Sequence, residues 1–530
     1  MTLSALILIP FIGGLLCWLG ERLGAGIPRW IALISMSIVL AIGVSLWLSG
    51  NYSGAVGTGG LQWQLEEHYS WIPILGVSIH FALDGLSLVM ILLTGLLGVV
   101  AVGCSWKEIN TNVGAFHMNL LWSLAGVLGV FLALDMMLFF FFWEMMLIPV
   151  YFLIALWGQS TNNYKARVEA ATKFFIYTQV GGLIMLVGIL ALVLVNFKAT
   201  QQLSFDYEVL LGAHKYMSAE LQFALMLCFF VGFAVKLPIV PVHAWLPDAH
   251  AEAPTAGSVD LAGILLKTAG YGMLRFTLPF FPDASQEFAS TAMLLGVFGI
   301  FYGAFLAFVQ TNIKRLIAYT SISHMGFVLI GIYSGNLLTL QGLAIQMLAH
   351  GLCAGGLFIL AGQLHERLGT YDMRQMGGLW ARFNYLPALL MFFAAALLGI
   401  PGTANFIGEF LILLGAFKVV PVITIIATAS LVLAGVYSLI LIHRTLFGPS
   451  AFGASASEQK LADLSAREMT LVVSLAVVLL VIGFYPQPLL NVSVDAMTFI
   501  QQTYAPVEVS NPLLVGPLPV GGSASPVVAP

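Results

Sequence analysis

An all-α polytopic membrane fold of about fourteen transmembrane helices is predicted by three features of this sequence: a surplus of apolar side chains, their gathering into runs of membrane length, and the placement of basic residues between those runs. Of its 530 residues, 60% are hydrophobic and 8% charged, with a mean hydropathy of +0.97. Soluble domains carry about 25% charged residues. No water-soluble fold of this size hides so much apolar surface, so lipid is its solvent. The net charge of −4 is small, and no basic patch interleaved with aromatics points to nucleic acid. Cys17, Cys104, Cys228 and Cys353 lie far apart in or beside apolar runs, so no disulfide framework, zinc site or iron–sulfur cluster is expected.

A hydrocarbon core about 30 Å thick takes about 20 residues of helix. The first three runs that meet this length are Leu3–Leu19, Trp30–Leu48 and Leu86–Gly103. The first has no basic leader and is read as a retained span rather than a signal peptide. Spans four to eight are Met118–Leu134, Met136–Trp157, Phe174–Val195, Phe223–Pro241 and Gly257–Phe276. Spans nine to thirteen are Thr291–Phe308, Leu316–Tyr333, Leu338–Ala361, Leu386–Phe417 and Val422–Ile442, and Met469–Tyr485 is the last. Polar structure is confined to loops over Ser49–Leu83 and Ala199–Glu220 and to a Pro/Gly/Ser-rich tail over 505–530, expected to be mobile. The resulting divisions are 1–117, 118–276, 291–442, 469–485 and the tail.

The lysines and arginines test this map. Loops after odd-numbered spans hold Arg22, Arg29, Lys107, Lys165, Arg167, Lys173, Lys314, Arg315, Arg367, Arg374, Arg382, Arg444, Lys460 and Arg467. Loops after even-numbered spans hold only Lys198, Lys215, Arg275 and Lys418. Cytoplasmic loops carry the excess of basic residues, so both termini are expected on the opposite, periplasmic side. The two amines left over, Lys236 and Lys267, fall inside spans.

Two spans are interrupted. Span seven, "GFAVKLPIVPVHAW", breaks at Pro238 and Pro241, and span twelve, "LLGIPGTANFIGEF", breaks at Pro401 and Gly402. They lie five spans apart, so a repeat of five helices is inverted across the membrane. Paired broken helices in inverted halves point to an ion site near the bilayer midplane, although a proline taken alone also serves as a packing kink.

Ionisable groups cluster at the same depth. Glu144 stands eight residues into span five, about 12 Å along the helix, where an unpaired charge costs roughly 2.5–3.5 kcal/mol or more. Lys236 is its natural partner in sign and depth. Lys267 on span eight, His324 on span ten, His350 on span eleven and Glu409 beyond the second break extend the series to six. Burial and a neighbouring opposite charge move such pKa values in opposite directions by up to about 3–5 units, which is what a proton relay requires. A lone intramembrane histidine is more often a hydrogen-bonded core residue than a relay; two lysines and two glutamates beside broken helices are not so readily structural, because ion pairs in lipid have a poor energetic return. "AYTSISH" and Gln346 offer groups that could order water. His243, Asp248, His250 and Glu252 match no zinc spacing and are read as a polar loop at a pathway mouth. Asp84 and Asp135 sit at span ends and are expected at the interface. Asp260 precedes Lys267 by seven residues, about 10 Å along the helix, too far for direct pairing. Without a P-loop, a dinucleotide fingerprint or cluster-binding cysteines, any energy source must come from partners.

The stretches "FFFFWEMMLIPVYFLIALWG", "FAVKLPIVPVHAWLPDAHAEAPTAGSVDLAGILLKTAGYG", "NIKRLIAYTSISHMGF" and "IPGTANFIGEF" resemble the subunit M family of bacterial proton-pumping NADH:quinone oxidoreductase, respiratory complex I, and the resemblance runs nearly to "GFYPQPLL". It implies fourteen helices with two inverted five-helix repeats, spans four to eight and nine to thirteen. The family's glutamate–lysine pair falls on Glu144 and Lys236, its central lysine on Lys267, its bridging histidines on His324 and His350, and its terminal glutamate on Glu409. Glutamate at that last position, and no long lateral helix after span fourteen, separate it from the sister subunits L and N or from L alone. The implied setting is the bacterial inner membrane, with subunits L and N among the partners. FMN, iron–sulfur clusters and quinone are expected in partner subunits and no cofactor in this chain. The implied activity is proton translocation driven by electron transfer elsewhere in the complex. The alternative is a subunit of a multi-subunit cation/proton antiporter, and a third reading is a structural scaffold.

Overall fold

Helices dominate the computed structural model, which describes residues 1–24, 26–50, 63–159, 164–447 and 461–504. The tail expected over 505–530 lies outside the described residues. Among those residues twelve helices are long and apolar enough to cross a membrane, from Thr2–Leu23 to Ala466–Phe484. Each coincides with a predicted span. The two other predicted spans are helical but not continuous α-helix. Span eight is an unbroken helical run over 255–280 in which the turns Leu261–Leu265 and Met273–Thr277 are π-helical. Span twelve is a pair of helices, Leu386–Leu398 and Ala404–Val419.

The two breaks have different local causes. The helix Ala219–Lys236 stops at Lys236 because Pro238 has no N–H to return to Ala234; Ile239 N–H reaches that carbonyl instead. The freed Val235 carbonyl is taken by Trp245 Nε1 at 2.8 Å, so the indole seals the broken end. In span twelve Gly399 and Gly402 have φ of +78° and +97°, a region that favours glycine, and the chain turns there before Thr403 restarts the helix.

Burial grades from rim to centre. The most apolar window of Ile27–Ser49 is 28% buried, whereas those of Ile313–Ser334 and Leu337–Leu368 are 94% and 100% buried. Polar residues inside these two windows, His324 and His350 among them, therefore face protein and not lipid. Both begin on asparagine caps: Asn312 accepts from Lys314 and Arg315 N–H, and Asn336 from Leu338 N–H. Leu337–Leu368 packs along Ala404–Val419.

The loops hold more order than the sequence suggests. Strands β1 (Leu65–Ile72) and β2 (Val77–Leu83) form an antiparallel hairpin. It docks on the start of span five through Leu134 N–H to the His80 carbonyl at 2.9 Å, and the 205–207 segment joins the same junction. Asp84 and Asp135, expected at the interface, are buried N-caps, with Asp135 holding Met137, Leu138 and Ser78 N–H groups. Arg275, counted above as a loop residue, lies fully buried in a π turn and pairs with Asp84. After span fourteen comes an unanticipated helix, Gln487–Thr503. Its buried face, Leu489, Val492, Ala496 and Ile500, recurs at helical spacing and packs on Gly85–Glu108 and Leu337–Leu368. Tyr504 OH then bonds the Tyr333 carbonyl at 3.0 Å.

Candidate functional site: a trail of buried charges

Four of the six sequence-predicted residues meet in one chain of contacts. Lys267 lies between the two π turns of span eight, where Nζ donates to the Ala262 carbonyl of the preceding π turn. Such turns shift the backbone bonds by one residue and recur at functional sites. Lys267 Nζ also stands 2.8 Å from His350 Nδ1. The rings of His350 and His324 follow, centroids 5.6 Å apart, each on one of the two central helices. His324 Nδ1 is 2.7 Å from Glu409 Oε1, which also accepts from Gln346 Nε2 at 2.9 Å. Tyr437 OH stands 3.1 Å from His324 Nε2. All six of these side chains are buried.

The other two residues are placed near each other but are not joined. No ion pair links Glu144 and Lys236 among the described residues. Lys236 Nζ instead lies 3.6 Å from the centroid of the Trp143 ring and has no hydrogen-bond partner. A cation over an indole face gains about 0.5–2 kcal/mol, and Lys236 ends its helix, where the dipole favours a positive charge. Glu144 Oε1 is buried without a partner, while the residue itself is only half-buried and faces a lateral cavity of about 870 Å³ beside Gln179, Phe141 and Trp122. Space for its carboxylate comes from Gly182: a methyl group there would overlap Glu144 Oε1. The neighbouring Gly181 lets the same helix close against Val235, next to Lys236.

Further buried groups stand beside these. Asp260 accepts from Ser123 Oγ at 2.6 Å, and its Oδ1 is unpartnered; with Glu144 it is one of the two carboxylates acting on Lys236 through space. As its spacing implied, Lys267 takes other partners. His250 is not at a mouth: it is fully buried, stacked on Phe358 with centroids 4.5 Å apart, and neither nitrogen has a partner. Lys314 lies buried at a helix start, donating to the Ala253 carbonyl at 2.5 Å. Asp248 does lie near the surface, between Lys173 at 2.7 Å and Arg315 at 2.8 Å. Sequence reasoning missed Asp260 and His250 as members of the trail, although an acid in an apolar run was a signal. Tyr437 and Gly182 carried none, because tyrosine and glycine are common in membrane helices.

A helical membrane chain with broken helices and amines, imidazoles and carboxylates buried along its middle defines an antiporter-like transport subunit. Residues 133–434 match the family described as NADH:quinone oxidoreductase/Mrp antiporter, TM. The chain is 61% identical over 504 residues to NADH-quinone oxidoreductase subunit M of Escherichia coli (strain K12), covering 95% of this chain and 98% of that one. Among solved structures it resembles a chain of respiratory complex I from Thermus thermophilus with bound NADH, at 28% identity and a TM-score of 0.82, covering 95% of this chain and 99% of that chain. A chain of the Mrp complex from Dietzia sp. DQ12-45-1b shares the fold, at 21% identity and a TM-score of 0.78, with 94% of this chain and 52% of that chain covered. The chain belongs to the subunit M family of NADH-quinone oxidoreductase. It is a multi-span membrane subunit of a respiratory complex.

Proposed function

We propose that this chain is a proton-translocating subunit of complex I, with Glu144, Lys236, Lys267, His324, His350 and Glu409 as the groups that carry the proton. The reading is carried by the continuous contact from Lys267 through His350 and His324 to Glu409, all four side chains buried. Buried polar atoms left without partners cost about 1–3 kcal/mol each unless water serves them. Glu144, Lys236, Asp260, His250, His350 and Gln346 each carry such an atom, which supports a hydrated route. A charge change arriving from a neighbouring subunit swings Glu144 towards or away from Lys236, and the altered Coulomb energy frees or recaptures the Lys236 proton. The proton then moves by Lys267 and the histidines to Glu409 and leaves.

The setting proposed is a bacterial inner membrane, both termini on the periplasmic side, with subunits L and N as neighbours and the FMN, iron–sulfur and quinone chemistry in partner subunits. Residues 118–276 and 291–442 are proposed as the two inverted repeats. In inverted membrane vesicles, Lys236→Ala and Glu144→Ala in the assembled complex each reduce NADH-driven proton pumping to near background. Full pumping by both variants rejects the route. An ion-gradient antiporter is the competing assignment, supported by the shared fold; a native assembly that exchanges sodium for protons and lacks flavin absorbance and NADH oxidation selects it.

A further inference from the structure

One cluster of ligand-type side chains lies outside the membrane interior and takes no part in the proton route. β1 and β2 pair with His68 directly opposite His80, and the strand pleat returns Glu66 to the same face as His68, two residues away. The two imidazoles meet edge to face with centroids 4.8 Å apart. Asp206 reaches this face from a distant part of the chain, its Oδ2 2.5 Å from His80 Nδ1, while Glu66 Oε1 is 3.0 Å from His80 Nε2. One donor atom from each of His68, His80 and Asp206 falls within 4.8 Å of the others.

We propose that His68, His80 and Asp206 form a binding site for a borderline divalent transition-metal ion, Zn2+, on the hairpin at the aqueous edge of the molecule. Two imidazole nitrogens and one carboxylate oxygen are the donor set of three-ligand zinc sites, whose fourth position stays open to water. Calcium and magnesium prefer all-oxygen surroundings. Ligand atoms around tetrahedral zinc at about 2.0–2.2 Å stand about 3.3 Å apart. The donors, all within 4.8 Å of one another and 2.5 Å apart for His80 and Asp206, reach that spacing by moving about 1.5 Å or less, and His68 is exposed with room to turn. Glu66 occupies the far nitrogen of His80, the carboxylate position that orients a metal-binding imidazole and strengthens its donation.

The bound ion would tie β1 and β2 to the 205–207 segment, and Leu134 already bonds both the His80 carbonyl and Tyr207 N–H through its backbone. Leu134 immediately precedes the N-cap of the helix Met136–Met145, which carries Glu144. A metal bound at the hairpin therefore stiffens the outer end of the helix that presents Glu144.

The test uses the full chain in lipid nanodiscs and the metals alone. Wild type is expected to take up a single Co2+ with the strong visible bands of a tetrahedral site, and Zn2+ bleaches them. Glu66→Gln weakens Zn2+ binding by about 10–100-fold. His68→Ala, a change on an exposed strand face, abolishes the bands while thermal unfolding stays at the wild-type temperature. Wild type that takes up no stoichiometric Co2+, or shows only weak octahedral bands, overturns the site. Equal Zn2+ affinity in His68→Ala and wild type overturns it as well.

Discussion

The half of the molecule over 291–442 ties its buried carboxylate down, and the half over 118–276 leaves its own loose. Glu409 accepts from His324 and Gln346, and its other oxygen lies against Gly399, 3.2 Å from where a Cβ would stand. Glu144 also rests against a glycine, Gly182, but its Oε1 has no partner and it borders a lateral cavity. Its predicted partner Lys236 is turned onto Trp143. On the proposed route the same residue chemistry serves two purposes. A carboxylate held by two donors on one oxygen conducts along a set path, whereas one that can approach or leave an amine changes the field on it. At 4 Å and an effective dielectric of about 20, opposite charges attract by about 4 kcal/mol, enough to shift a proton equilibrium by orders of magnitude.

Stability is where this contrast predicts its largest effect. Glu409→Ala strands the donors of His324 and Gln346 inside the protein and is expected to cost about 3–5 kcal/mol. Glu144→Ala loses only the side-chain interaction with Gln179 and relieves an insertion cost of roughly 2.5–3.5 kcal/mol, so its unfolding temperature in detergent stays near wild type or rises. Equal melting of the two variants would dissolve the distinction between the halves.

A smaller effect is expected at Gly182. The atom that a methyl group there would strike is the tip of the flexible Glu144 side chain, so Gly182→Ala folds normally and rotates the carboxylate. Misplacing a reacting group by about an ångström costs up to about 10²-fold; pumping per NADH oxidised is expected to fall roughly tenfold or less, with thermal stability unchanged. Unaltered pumping would show that the position of Glu144 is not critical. The smallest effect belongs to Tyr437→Phe, which removes one hydrogen bond to His324 worth about 0.5–1.5 kcal/mol and leaves pumping near wild type. A collapse of pumping in this variant would place the hydroxyl on the route itself.

Much of this was legible in the residues. Spans read from apolar runs coincide with the helices because a backbone in lipid must satisfy its own polar groups, and a helix of about 20 residues does so. The breaks at Pro238 and Gly402 were visible because proline lacks a donor and glycine tolerates positive φ. The hairpin was missed because its strands are too short to register as spans, and the helix Gln487–Thr503 because it is amphipathic. Arg275 and Lys314 were misplaced into loops because charge alone cannot announce the buried partner, Asp84 or the Ala253 carbonyl, that lets a basic residue stay inside.

By itself the sequence determined that this chain lives in lipid, where its helices run and which ionisable residues fall within the apolar runs, since hydropathy and chain geometry are local properties. Only the tertiary structure decided which of those groups touch. Lys267, His350, His324 and Glu409 lie on four separate elements, and hydrogen bonds need atoms within about 3 Å, a precision that only the packing of helix against helix supplies. The same packing left Glu144 and Lys236 apart and gathered His68, His80 and Asp206, which no spacing in the chain connects.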